Sequence, residues 1–156
     1  MFKVNIKQML ISIGIPLILV GGLTSLLTMN SMQIYSEINQ PKLSPPGWLF
    51  PIVWTILFIL MGISSYIVWN SNSGNKLLGL TVYAAQLIVN FTWSLVFFNG
   101  QKYNLAVFII LILLGLIILN IYLFSKINKL AGWLLVPYLL WVAFATYLNI
   151  AIAILN

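Results

Sequence analysis

Apolar residues run along this chain in long unbroken stretches, without the every-second-residue alternation of a half-buried strand. Eight charged residues (Lys3, Lys7, Glu37, Lys42, Lys76, Lys102, Lys126 and Lys129) leave five long uncharged segments between them: 8–36, 43–75, 77–101, 103–125 and 130–156. A hydrocarbon core of about 30 Å is crossed by about 20 apolar residues in a helix. Backbone polar groups in lipid must be satisfied internally, which leaves helices or closed barrels. Continuous rather than alternating apolar runs select helices. The predicted spans are 9–30, 46–69, 77–98, 103–125 and 132–154. The fold class that follows is an all-α membrane protein, a single five-transmembrane-helix bundle over residues 1–156. Its one long loop, about residues 31–45, joins helices 1 and 2.

The first span follows Lys3 and Lys7 and invites comparison with a signal peptide. Its apolar run is longer than the usual hydrophobic core of such a peptide, and no small-residue cleavage site follows, so a retained helix is expected. Five spans put the two chain ends on opposite sides of the membrane. Lys3, Lys7, Lys76, Lys126 and Lys129 then share one face, against Lys42, Lys102 and Glu37 on the other. The lysine excess makes the N-terminal face the cytoplasmic one, in a cell membrane.

Composition narrows the chemistry. The chain is 62% hydrophobic and 5% charged, against about 25% charged in a soluble domain, so lipid is its main solvent. Its net charge of +6 reads as topology and contact with anionic lipid head groups. With no Arg and no basic cluster, no nucleic-acid partner is expected. Cys and His are both absent, which removes disulfides, thiolate and imidazole metal sites, and Ser-His or Cys-His nucleophiles. A single acid, Glu37, makes no carboxylate pair, and no span holds a charge, which argues against a proton relay. No metal and no resident cofactor is expected. What remains is recognition of an apolar or aromatic ligand, passage of a lipid-like molecule, or chemistry that belongs to a bound molecule.

The candidate residues lie on the inward faces of four spans. Span 1 carries Gly21 and Ser25, a small-x-x-x-small pair that lets a helix or a ligand approach its backbone. Residues 41–54, PKLSPPGWLFPIVW, hold four of the six prolines and two of the six tryptophans. Ser44 is expected to cap the second span, with Pro45 in its first turn, and Pro51 to bend the turns that follow. Trp54, Phe58 and Met61 share one face beyond it. Trp48 and Trp69 suit the membrane interface. In span 3, Gln86 and Asn90 are one turn apart, with Trp93 and Phe97 continuing that side. Amides in hydrocarbon need partners, so this face points inward, toward a neighbouring helix or a ligand. Span 4 is almost all aliphatic and reads as a packing or lipid-facing helix. In span 5, Tyr138, Trp141, Ala145 and Leu148 or Asn149 share a face in which aromatic and small residues leave a slot. Taken with Tyr35 of the long loop, these faces describe a pocket for a flat aromatic molecule.

Three segments, PKLSPPGWLFPIVWTILF, NFTWSLVFFNGQ and PYLLWVAFATYLNIAIAILN, resemble the signature blocks of the TspO/translocator protein family, also called the peripheral benzodiazepine receptor family. The likeness covers all five spans in order, and the P-x-x-x-P-P-x-W-x-F-x-x-V-W block is its most specific part. It implies a five-helix bundle, commonly a homodimer. It also implies binding of porphyrins and related tetrapyrroles and of benzodiazepine- or isoquinoline-type ligands. Roles proposed for the family are tetrapyrrole transport, stress sensing, and light- and oxygen-dependent porphyrin breakdown. By this resemblance Pro45, Trp54, Asn90, Trp141 and Ala145 match the family's ligand-pocket positions, and Gly21, Ser25 and Tyr35 match by placement. Trp54 and Trp141 are similar to the pair the family sets around bound porphyrin, which gives them the catalytic role in any photo-oxidative chemistry. The cholesterol-recognition pattern of animal members is missing, since no Lys or Arg follows Tyr147, which argues against sterol handling. A bacterial membrane receptor for tetrapyrroles is the first reading, and a passive carrier or channel for amphipathic molecules the second.

Overall fold

The computed structural model describes residues 4–29 and 31–156, so Lys3 lies outside the described residues. Helices are the only regular structure among them: α1 (Ile6–Thr28), α2 (Ser31–Glu37), α3 (Leu49–Trp69), α4 (Lys76–Asn99), α5 (Tyr103–Ile127) and α6 (Lys129–Leu155). All but α2 are long and apolar enough to cross a membrane, in the five places the uncharged runs predict. Leu and Ile side chains left outside, among them Ile88, Leu111, Ile118, Leu140 and Ile154, coat the bundle with the surface lipid requires. Trp48 and Trp133, both well exposed, lie at opposite ends of the bundle, where indoles sit well at an interface.

Helix boundaries follow from where polar groups can be answered. Asn5 caps α1 by accepting from the Gln8 amide, so the helix starts three residues before its predicted start. The second span starts later than predicted, at Leu49 rather than 46, and Ser44 does not cap it. Pro46, Gly47 and Trp48 instead form a turn in which Leu49 and Phe50 donate to the carbonyls of Pro46 and Gly47. Pro45 is therefore outside the helix. Pro51 falls in its first turn, where a missing N–H breaks no helix bond.

Two helices widen into π-helical turns, α1 over Ile15–Gly22 and α4 over Leu95–Asn99. Neither widening was expected from the sequence. Wide turns of this kind cluster at functional sites because they turn side chains out of the regular helical register.

Helix α5 buries one face, which runs through Ala106, Ile110, Leu113, Ile117, Asn120 and Phe124. It lies against α4 and α6, which makes the plainest span a packing helix. Asn120 donates to the Gly79 carbonyl of α4 at 3.5 Å, and the Phe124 ring covers Gly79, where a Cβ would sit 3.2 Å away. Trp93 of α4 donates through its indole to the Asn149 side chain of α6 at 3.0 Å, and Asn149 donates on to the Tyr103 carbonyl at 3.1 Å. By contrast α1 is the least buried of the five. It meets α3 where the Asn5 amide donates to the Tyr66 hydroxyl at 2.7 Å, where Gly62 faces Ile13 and where Gly21 faces Phe58, and its far end is held by Asn99 of α4, which donates to the Leu27 carbonyl at 2.8 Å.

The long connection between α1 and α3 folds back on the bundle through α2. Asn39 and Asn156 exchange hydrogen bonds, Asn156 Nδ2 donating to the Asn39 carbonyl at 2.9 Å and the Asn39 amide to Asn156 Oδ1 at 3.3 Å. This end of the bundle therefore carries the loop and the end of α6 together.

A Cβ at Gly62 would lie 2.4 Å from the Ile13 Cα, so Gly62→Ala forces α1 away from α3. The expected cost is about 1–3 kcal/mol, read as a lower thermal midpoint in detergent. Gly115→Ala, where a Cβ meets nothing within 4 Å, leaves the midpoint unchanged.

Candidate functional site

A cavity of about 540 Å³ lies beside α1. It lies between the later half of α1, the first turns of α3 and the end of α4, at the end of the bundle that carries the long loop. Its α1 wall is a stripe at helical spacing (Leu17, Gly21, Thr24, Ser25 and Thr28), small enough to keep the space open. Facing it, Phe50, Trp54 and Phe58 come from α3, and Asn90, Ser94 and Phe98 from α4. Both widened helical turns border the cavity, through Gly21 and Gly22 on α1 and Phe98 on α4. No ionisable side chain lines it.

The wall facing α1 is aromatic and held in place. Trp54 stacks on Phe58, one turn on, with ring centroids 5.5 Å apart and planes 27° from parallel. The edge of Phe58 approaches Gly21 so closely that a Cβ there would meet its ring at 3.0 Å. Tyr138 of α6 backs Trp54 from behind in an edge contact at 6.1 Å. Polar groups are few and specific. Asn90 Nδ2 donates to the Tyr138 hydroxyl at 2.8 Å, and that hydroxyl donates to Gln86 Oε1 at 2.6 Å. On the α1 side Thr28 donates to the Thr24 carbonyl at 2.7 Å, while the buried Thr24 hydroxyl has no protein partner.

Of the residues singled out in the sequence, Gly21, Ser25, Pro51, Trp54, Phe58 and Asn90 line this cavity. The others stand around it. Tyr35 is buried against Phe50 and Phe98, and its hydroxyl donates to the Pro45 carbonyl at 3.2 Å. These two residues thus join α2 to the proline-rich turn above the cavity. Burial pushes the Tyr35 phenol up to about 12, the Ser44 hydroxyl pulling the other way. Trp141 packs edge-on against Phe50 at 5.9 Å and so lies one ring back from the space. Trp93 is turned to Asn149, and Tyr138, Ala145 and Leu148 are buried in the core of α6. The four helices read as pocket walls thus divide: α1, α3 and α4 enclose the cavity, and α6 supports it from behind.

Sequence reasoning missed Thr24, Thr28, Phe50, Ser94 and Phe98 among the lining residues. The α1 members follow from Gly21 and Ser25 at helical spacing, Thr24 three residues after Gly21 and Thr28 three after Ser25. Ser94 and Phe98 continue from Asn90 at intervals of four, whereas the face chosen from the sequence drifted to Trp93 and Phe97. The π-helical turn at Leu95–Asn99 sits within that stretch.

Comparison with known proteins agrees with this architecture. Residues 12–155 match the model of the TspO/MBR family. The chain is 44% identical to the tryptophan-rich protein TspO of Chlorobaculum tepidum over 126 residues, 78% of each chain. It is 35% identical to the TspO of Archaeoglobus fulgidus over 153 residues, covering 97% of this chain and 99% of that one. It is also 33% identical to the human translocator protein over 118 residues, 74% of this chain and 70% of its relative. With its five spans, aromatic cavity and full-length match together, this integral membrane protein belongs to the TspO/MBR family.

Proposed function

We propose that this protein is a membrane receptor that takes a flat aromatic ligand of the tetrapyrrole class, or a benzodiazepine- or isoquinoline-type molecule, into the cavity between α1, α3 and α4. The observation that carries this reading is the pairing of an unfilled small-residue stripe with a stacked aromatic wall, Gly21 opposite Phe58 and Trp54. A slot of this kind offers ring faces to a planar molecule, and about 540 Å³ is ample for a drug-sized one. Lipid supplies the surroundings, and the family resemblance favours a homodimer. The lysine count favours an N-terminal face toward the cytoplasm.

Light- and oxygen-dependent oxidation of a bound porphyrin is a second reading, favoured by the position of the Trp54 indole on the cavity wall. Here the excited macrocycle and dioxygen supply the chemistry. The protein contributes a fixed orientation and an oxidisable ring beside it. Trp141, one ring behind Phe50, is placed to exchange an electron with the site without touching the ligand.

Titration of purified protein with protoporphyrin tests the first reading. Trp54→Ala removes a wall and weakens binding about tenfold, a loss of roughly one stacking contact. Pro45→Ala alters only the turn above the cavity and weakens it less; equal affinities in both variants and the wild type would remove the cavity from the account. Illumination with protoporphyrin in air tests the second reading. Bleaching faster than in empty detergent, slowed more by Trp54→Phe than by Trp141→Phe, supports it. A rate the protein leaves unchanged ends it.

A further inference from the structure

One polar side chain on the aromatic side of the cavity does not choose its own orientation. Asn90 is almost wholly buried, and its amide has two chemically opposite ends, a donor and an acceptor. Which end a ligand meets is set by the Tyr138 hydroxyl, which has a single proton to give. That proton goes to Gln86 Oε1 at 2.6 Å, so the hydroxyl oxygen can only accept from Asn90, and Asn90 Nδ2 donates to it at 2.8 Å. The direction of this chain is in turn held by Met61. Gln86 Nε2 lies 3.8 Å from the Met61 sulfur, a weak acceptor, and both residues are fully buried. Turning the Gln86 amide over would put its oxygen against that sulfur, acceptor against acceptor, with no water to relieve it.

Reading the cavity as the ligand site, we infer that Gln86 and Tyr138 are positioning residues that fix the polarity of Asn90, so that the cavity presents a hydrogen-bond acceptor on its α4 wall. Among planar aromatic ligands it favours those that bring an N–H donor to that wall. A ligand that brings only an acceptor to that wall meets the Asn90 carbonyl oxygen without a proton between them. Neither Gln86 nor Tyr138 lines the cavity, so neither needs to touch the ligand.

The test uses three flat tricyclic probes of nearly the same shape: carbazole, with a bridging N–H; dibenzofuran, with a bridging oxygen; and fluorene, with a bridging methylene. Each is titrated into the purified full-length protein. The wild type is expected to bind carbazole about three- to tenfold tighter than dibenzofuran, the range of a single hydrogen bond made or lost. In Gln86→Leu the Tyr138 proton is released to the Asn90 oxygen, the amide turns, and the preference disappears or reverses while fluorene affinity stays the same. Tyr138→Phe likewise removes the preference. Equal binding of carbazole and dibenzofuran by the wild type overturns the inference and leaves the ligand site standing, and this needs no variant to fold. So does a preference that survives in Gln86→Leu. Failure of all three probes to bind overturns the ligand site and the inference with it.

Discussion

An amide placed in hydrocarbon has no water to turn to, and the architecture follows from how the buried amides of this chain are answered. Gln86, Asn90, Asn120 and Asn149 all lie inside the bundle, and each makes at least one hydrogen bond to another helix, Asn120 through its Nδ2 alone, since its Oδ1 has no protein partner. An unanswered group of this type costs several kcal/mol in lipid. The partnerships therefore set which faces of α4, α5 and α6 meet. Apolar packing then fills the space between them, with Ala106, Ile110, Leu113 and Ile117 of α5 at its centre.

Helix α1 stands apart from that arrangement. Few of its residues are buried, and its close approach to α3 at Ile13 depends on the absence of a side chain at Gly62. Past that crossing the helix widens, and between Leu17 and Met29 its wall is built from glycine, serine and threonine. The cavity is thus the place where the well-buried helices α3 and α4 meet the least buried helix, α1. Ligand sites between helices of a bundle arise in this way, with rigid aromatic groups on one side and open backbone on the other. Because the rigid side carries Asn90, the polarity of the site is set by the core, while its width is set by α1.

Much of this was legible in the sequence because lipid simplifies the rules. Eight charges were enough to mark five spans, since a lysine inside hydrocarbon is costly whatever its neighbours are. The inward direction of Gln86 and Asn90 was legible for the same reason. Boundaries set by local backbone geometry were less so. Ser44 and Pro45 look like a helix start, but the turn at Pro46, Gly47 and Trp48 moves that start to Leu49. The role of α6 was harder still. Tyr138, Trp141 and Ala145 share a face that points into the bundle, but Phe50 and Trp54 of α3 stand between that face and the open space. Spacing along one helix cannot show which of two inward layers comes first. The π-helical turns had no local signal beyond Pro16 and the Gly21–Gly22 pair.

The claim on which the rest hangs is that a planar ligand lies between the small-residue stripe of α1 and the aromatic wall of α3. Photo-crosslinking with a porphyrin that carries a diazirine, followed by peptide mapping, tests this most directly. Labels falling within 17–29, 50–58 and 90–98 are the expected result, since these stretches supply the lining of the cavity. Labels confined to the outward face of α5, at Phe108, Leu111 and Ile118, would contradict it and place the molecule in the lipid instead.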